Sequence, residues 1–153
     1  VQDRERRSKM SHVVDLQIEV LDLASLQVAA KKLGLEWLNQ ETFRWYGKFM
    51  GDALIPKGFT ASDYGKCLHA IGIPGNSRAY QVGVVRNPNG RGFTLLYDAW
   101  SGGFGLEAKI GKDASKLRQR YAAEVAIKNA RRQGFRVTEQ AGTDGKIKLV
   151  CRR

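Results

Sequence analysis

The sequence predicts an α+β domain, a ferredoxin-like sandwich in which two helices cover one face of a mainly antiparallel sheet and a hairpin follows at the C-terminus. Three observations carry this expectation. Residues 14–20 alternate apolar and polar, the period of a half-buried strand. Residues 113–133 run without Gly or Pro and are rich in Ala, Leu, Lys and Arg, as a long helix is. The turn-rich stretches 86–92 and 143–145 each lie between two β-prone runs, the pattern of antiparallel hairpins.

Taken in order, Val14, Leu16, Ile18 and Val20 share one side of the first strand. Asp22 then stands where a helix N-cap would, and Leu23, Leu26, Ala30 and Leu33 recur at helical spacing up to Gly34, a C-terminal stop. Residues 42–49 are aromatic and β-prone and predict a second strand ending at Gly51. The short apolar run 68–73, set among Gly and Pro, supports a short strand or an irregular segment. Residues 80–85 and 93–100 flank Arg86-Asn87-Pro88-Asn89-Gly90-Arg91-Gly92 and predict a hairpin. After the glycine run 101–105 comes the long helix, with Ala114, Leu117, Tyr121 and Val125 on the face that covers the sheet and Gly134 closing it. Residues 135–137 and 147–151 form the last hairpin about Thr143-Asp144-Gly145, where Asp-Gly supplies the positive φ that a tight turn needs.

Composition sets the outer bounds. A chain of 153 residues with 42% hydrophobic and 27% charged residues can bury roughly 70% of its unfolded surface and needs no staple. Residues 1–9 are charged and stand apart from Met10-Ser11-His12, so they read as a flexible extension or an appended remnant, with 10–153 as a single domain. No apolar run approaches the ~18 residues of a membrane span, and a cytoplasmic location is expected. Cys67 and Cys151 are too few for a disulfide framework and are expected as free thiols.

Charge is the strongest global signal. The formal net charge is +11, and it is unevenly placed: residues 10–108 hold nine Lys/Arg against nine Asp/Glu, residues 109–153 thirteen against four. A basic third of a small domain points to an anionic partner, nucleic acid before acidic protein. The candidate contacts are Lys116, Arg118, Arg120, Lys128, Arg131 and Arg132 on the long helix, with Arg136, Lys146, Lys148, Arg152 and Arg153 from the hairpin after it. They suit phosphate contact without base readout. Around the helix they form no single stripe, and Lys128 sits at the edge of the core-facing arc, where its aliphatic stem can snorkel.

Motifs of other classes are missing. Cys67-Leu68-His69 places a thiol and an imidazole on one side of a strand, but adding His12 and Cys151 reproduces no zinc-ligand spacing, and no metal or cofactor is implied. Gly102-Gly103-Phe104-Gly105 lacks the Gly-Lys-Ser/Thr ending of a P-loop, Gly90-Arg91-Gly92 opens no helix, and no Gly-x-Ser-x-Gly is present. Two rivals to a binding domain are kept. One is a small enzyme with a pocket among Trp45, Asp98, Trp100 and the 101–105 loop, the other a module that assembles through its sheet or sheet edge.

Met10-Ser11-His12 opening into a strand, the Leu23-Leu26 helix, and the run Gln119-Arg120-Tyr121 through Ala130-Arg131-Arg132-Gln133-Gly134-Phe135 to Asp144-Gly145-Lys146-Ile147 resemble the uncharacterised family called hypothetical chloroplast reading frame thirty-five. Its members occur in plastids, cyanobacteria, other bacteria and phages. The resemblance covers both ends of the domain and departs over residues 45–91, where the middle is enlarged. It implies a compact α+β fold and brings no activity with it.

Overall fold

The computed structural model describes residues 13–15, 18–47 and 55–153; the expectations for residues 1–9 and for the Val14 and Leu16 side chains lie outside what is described. Asp22 caps the first helix as its position implies. Its carboxylate accepts the Ser25 backbone N–H at 3.0 Å and the Ser25 hydroxyl at 2.9 Å, satisfying a donor that the first turn leaves open. Helix α1, Leu23–Lys32, buries Leu26, Ala29 and Ala30 and stops before Gly34.

Five strands make one antiparallel sheet: β1, Val13–Asp15; β2, Glu36–Leu38; β3, His69–Gly72; β4, Val82–Arg86; and β5, Phe93–Asp98. Their order is β1-β5-β4-β3-β2. A meander from β2 to β5 is thus closed by β1 on its far side, and β1 and β2 run parallel at opposite edges, a β-α-β unit through α1 split by three inserted strands. The expected hairpin of β4 and β5 is present, paired from Gly83↔Leu96 to Arg86↔Phe93. Helices α2, Leu106–Ile110, and α3, Ser115–Arg132, follow.

Strand alternation sorts the core into two layers. Ile71, Val82, Val84, Leu95 and Tyr97 face the helices and pack with Leu26, Leu106, Ile110, Ala114, Leu117 and Tyr121. Ala70, Val85 and Leu96 face the other way, under Phe43, Tyr64 and Cys67. The face of α3 read from its periodicity is the face that covers the sheet, with Val125 at its half-buried edge.

Residues 42–47 are not the predicted strand, and 48–51 lie outside the described residues. Thr42 makes one bridge, to Lys66, and beyond it the chain is irregular. The reason is a competing use of the same side chains. Phe43 and Trp45 lie down on the second face of the sheet, where Tyr64 meets both rings edge-on. The Arg44 N–H goes to the Gln81 side chain at 2.8 Å rather than to a strand ladder. Gly83 lets this layer close, since a Cβ there would collide with the Phe43 ring.

The C-terminal hairpin is a sheet of its own: β6, Arg136–Ala141, pairs with β7, Ile147–Arg152. Asp144 and Gly145 take φ values of +59° and +73° in its turn, as the Asp-Gly pair implies. Among the described residues no helix is long and apolar enough to cross a membrane.

Candidate functional site

The basic third does not act as one surface, because α3 and the hairpin sort its side chains to different places. Two candidates are engaged in ion pairs within the fold. Arg120 is buried, and its guanidinium donates to both Glu139 oxygens, at 2.9 Å through Nη2, and meets Glu124 at 3.0 Å. Glu124 in turn accepts Lys32 of α1 at 2.6 Å. This chain of charges joins α1, α3 and β6. Hydrogen bonding to Glu139 raises the Arg120 pKa, and the same bond holds the Glu139 carboxyl below its ordinary range. Arg120 therefore offers nothing to a phosphate, a correction to its place among the candidate contacts: helical spacing from Lys116 and Arg118 did not show that β6 would fold back across it.

Lys128 donates to Asp22 at 2.8 Å, which with the Ser25 hydrogen bonds pushes the Asp22 pKa down to about 2. Tyr121 adds a hydroxyl that accepts the backbone N–H groups of Leu21 and Asp22. The α1 cap is thus held by two residues of the chain's last third, Tyr121 and Lys128, and the Lys128 side chain, 40% exposed, spans α1 and α3.

The remaining candidates separate along α3. Lys116 and Arg118 stand on its first turn, exposed, with the Lys116 ammonium near the Ala108 carbonyl at 3.4 Å and Arg118 beside Ile18 and Glu19. At 1.5 Å per residue they lie about 20 Å from the other end of the helix. At that end Arg131 and Arg132 occupy the last turn, exposed, where the helix dipole favours cations. Two residues past Gly134 the chain enters β6 at Arg136, and Arg136 is the register partner of Arg152. Arg153 lies over the Phe135 ring at 4.8 Å. The end of α3 and the open end of the hairpin so bring Arg131, Arg132, Arg136, Arg152 and Arg153 to one pole. Among the described residues no carboxylate pairs with any of these five. Lys146 and Lys148 are exposed toward the hairpin's turn.

Beside this pole, a groove of about 680 Å³ runs between α1 and α3, with Ala24, Val28 and Ile127 on its floor and Lys128, Arg131 and Arg132 among its lining. The sequence carried its signal in the Ala24, Val28, Lys32 spacing, one helical face apart from the core face.

The two tryptophans of the enzyme rival pack on opposite faces of the sheet. Trp45 belongs to the second core layer against Tyr64, whereas Trp100 packs edge-on to Tyr46 and Phe104 on the helix side. Asp98 is fully buried and accepts the Trp100 N–H at 2.9 Å and the Tyr46 N–H at 3.2 Å, which fixes the entry to the glycine loop. That loop is a left-handed turn, with Ser101, Gly102, Gly103 and Phe104 all at φ between +51° and +65°. Cys67 donates its thiol to the Gln40 carbonyl at 3.3 Å, and burial pushes its pKa up to about 11, which keeps the thiol protonated near neutral pH. His69 stacks on Trp37 and bonds Asn39 through Nδ1 at 2.9 Å. Cys151 is exposed on the hairpin. His12 lies outside the described residues.

Residues 62–150 match the profile of the family described as "Protein of unknown function (DUF1257)". No curated protein and no solved structure matches the chain significantly. The matched segment contains β3 to β6, α2, α3 and the first four residues of β7, and so Arg131, Arg132 and Arg136 of the arginine pole but not Arg152 and Arg153.

Proposed function

The chain belongs to the DUF1257 family, and we propose that it is a non-enzymatic binding domain whose basic C-terminal third engages an anionic partner, nucleic acid before acidic protein. The observation that carries this is the pole of five arginines formed by the end of α3 and the open end of the hairpin. Arginine forks match phosphate oxygens, and cations that no carboxylate neutralises have the most to gain from them. A cytoplasmic location and the narrower kinship with hypothetical chloroplast reading frame thirty-five, carried by the motifs at the two ends of the chain, go with the same proposal.

Phosphate contact releases condensed counterions, so the affinity that the pole supplies must fall steeply with salt and that share must depend little on sequence. Fluorescence anisotropy with short DNA and RNA near physiological salt tests it. Arg131→Glu with Arg132→Glu is expected to weaken binding by more than tenfold, while Lys116→Glu at the far end of α3 changes it far less. No form binding tighter than ~100 μM, the weak end of nonspecific affinities, removes the nucleic-acid reading and leaves the acidic-protein one.

A further inference from the structure

The hairpin register says more than the charge count, because cross-strand partners lie on the same face of a two-stranded ribbon and successive residues alternate between faces. Glu139 reaches Arg120 of α3, so its face, shared with Leu149, Val137 and Ile147, is the one turned to the helix. The opposite face carries the register pairs Arg136↔Arg152, Thr138↔Val150 and Gln140↔Lys148. Five of these six side chains are exposed, three are cationic and none is acidic. The strands are six residues each, about 20 Å long, and rest on a helix rather than on the main sheet.

We infer that this outward face is a duplex-DNA reading ribbon that lies in the major groove, a deepening that rests on the nucleic-acid reading above. The major groove of B-form DNA, about 12 Å wide, admits a two-stranded ribbon, whereas that of A-form RNA is too narrow for side chains to read. The chemistry along the ribbon fits base edges. Arg136 and Arg152 present donor forks suited to guanine O6 and N7, Gln140 a donor and acceptor suited to adenine, and Thr138 and Val150 methyl groups suited to thymine. Arg131, Arg132 and Arg153, set beside the ribbon's open end, take the flanking phosphates and fix its orientation.

The test uses the full chain and probes of about 20 base pairs in one sequence: DNA duplex, DNA duplex containing 7-deazaguanine, RNA duplex and single-stranded DNA. The deaza duplex lacks only the major-groove N7 acceptor and keeps its phosphates. Expected is at least ~tenfold tighter binding to the DNA duplex than to the RNA duplex, with a several-fold loss on the deaza duplex. Arg136→Gln with Arg152→Gln, both exposed and so compatible with folding, is expected to abolish that deaza loss. Far-UV circular dichroism and a thermal scan confirm that the variant is folded. Equal affinity for DNA and RNA duplexes, or no effect of 7-deazaguanine, overturns the groove inference and leaves the phosphate-binding pole standing. Absence of binding to every probe overturns both.

Discussion

Two antiparallel hairpins in this chain have opposite relations to the core. In β4 and β5 every residue but Arg86 and Phe93 is buried, whereas in β6 and β7 none is. The first hairpin lies inside a sheet covered on one face by α1, α2 and α3 and on the other by the Phe43 and Tyr64 layer. The second is held to α3 by half-buried Val137, Ile147 and Leu149 and by the Arg120–Glu139 ion pair. Similar backbone pairing thus gives one element whose stability should equal that of the whole fold and one that can open by itself. The difference also separates roles, since a strand buried on both faces has no surface to offer and the C-terminal ribbon keeps one.

The largest effect that would confirm or break this contrast is at the shared support. Leu117 is fully buried where α3 meets the sheet, and Leu117→Asp places an unpaired charge there, so a loss of about 4 kcal/mol or more is expected by chemical denaturation. Unchanged stability would remove α3 from the core.

Arg120→Ala comes next. It leaves Glu124 and Glu139 without the cation between them, for an expected loss of about 3 kcal/mol, the scale of breaking a buried pair by removing one partner. Its signature is local: amide hydrogen exchange should rise through β6 and β7 well before β4 and β5. Equal acceleration in both hairpins would show that the ribbon is part of the global unit after all.

Acid should act in the same direction but more weakly. The folded Asp22 pKa, about 2, lies below its ordinary 3.8, and that of Glu139 is lowered as well. A carboxyl with a depressed folded pKa contributes stability above its unfolded pKa and loses it as pH falls through the folded value. Denaturation midpoints are therefore expected to hold from neutral pH down to about pH 4 and to drop between there and pH 2, with Asp22→Asn flattening the drop.

The smallest effect is a rate difference between thiols. Cys151 is exposed on the ribbon, while Cys67 is buried with its pKa pushed up to about 11. A thiol reagent at pH 8 is expected to label Cys151 at once and Cys67 only on unfolding. Prompt labelling of both would mean that the layer over the second sheet face opens readily.

What the sequence determined by itself was whatever depends on neighbours a few residues away. Asp22 caps because its carboxylate reaches the Ser25 N–H three positions on, Asp144 and Gly145 turn because their own φ preferences allow it, and α3 shows its core face through a period set by one helical turn. The α+β class and the final hairpin followed from such local signals. Only tertiary structure decided the rest. Phe43 and Trp45 have the composition of a strand, yet Gly83, some forty residues away, leaves the space that draws them into a covering layer. Arg120 resembles its exposed neighbours until Glu139 meets it. Arg131 and Arg152 reach the same pole because a ribbon folds back along the helix before returning. Each of these outcomes depends on a contact between residues distant in sequence, whose free energy exists only once both have been placed, and no local preference records it.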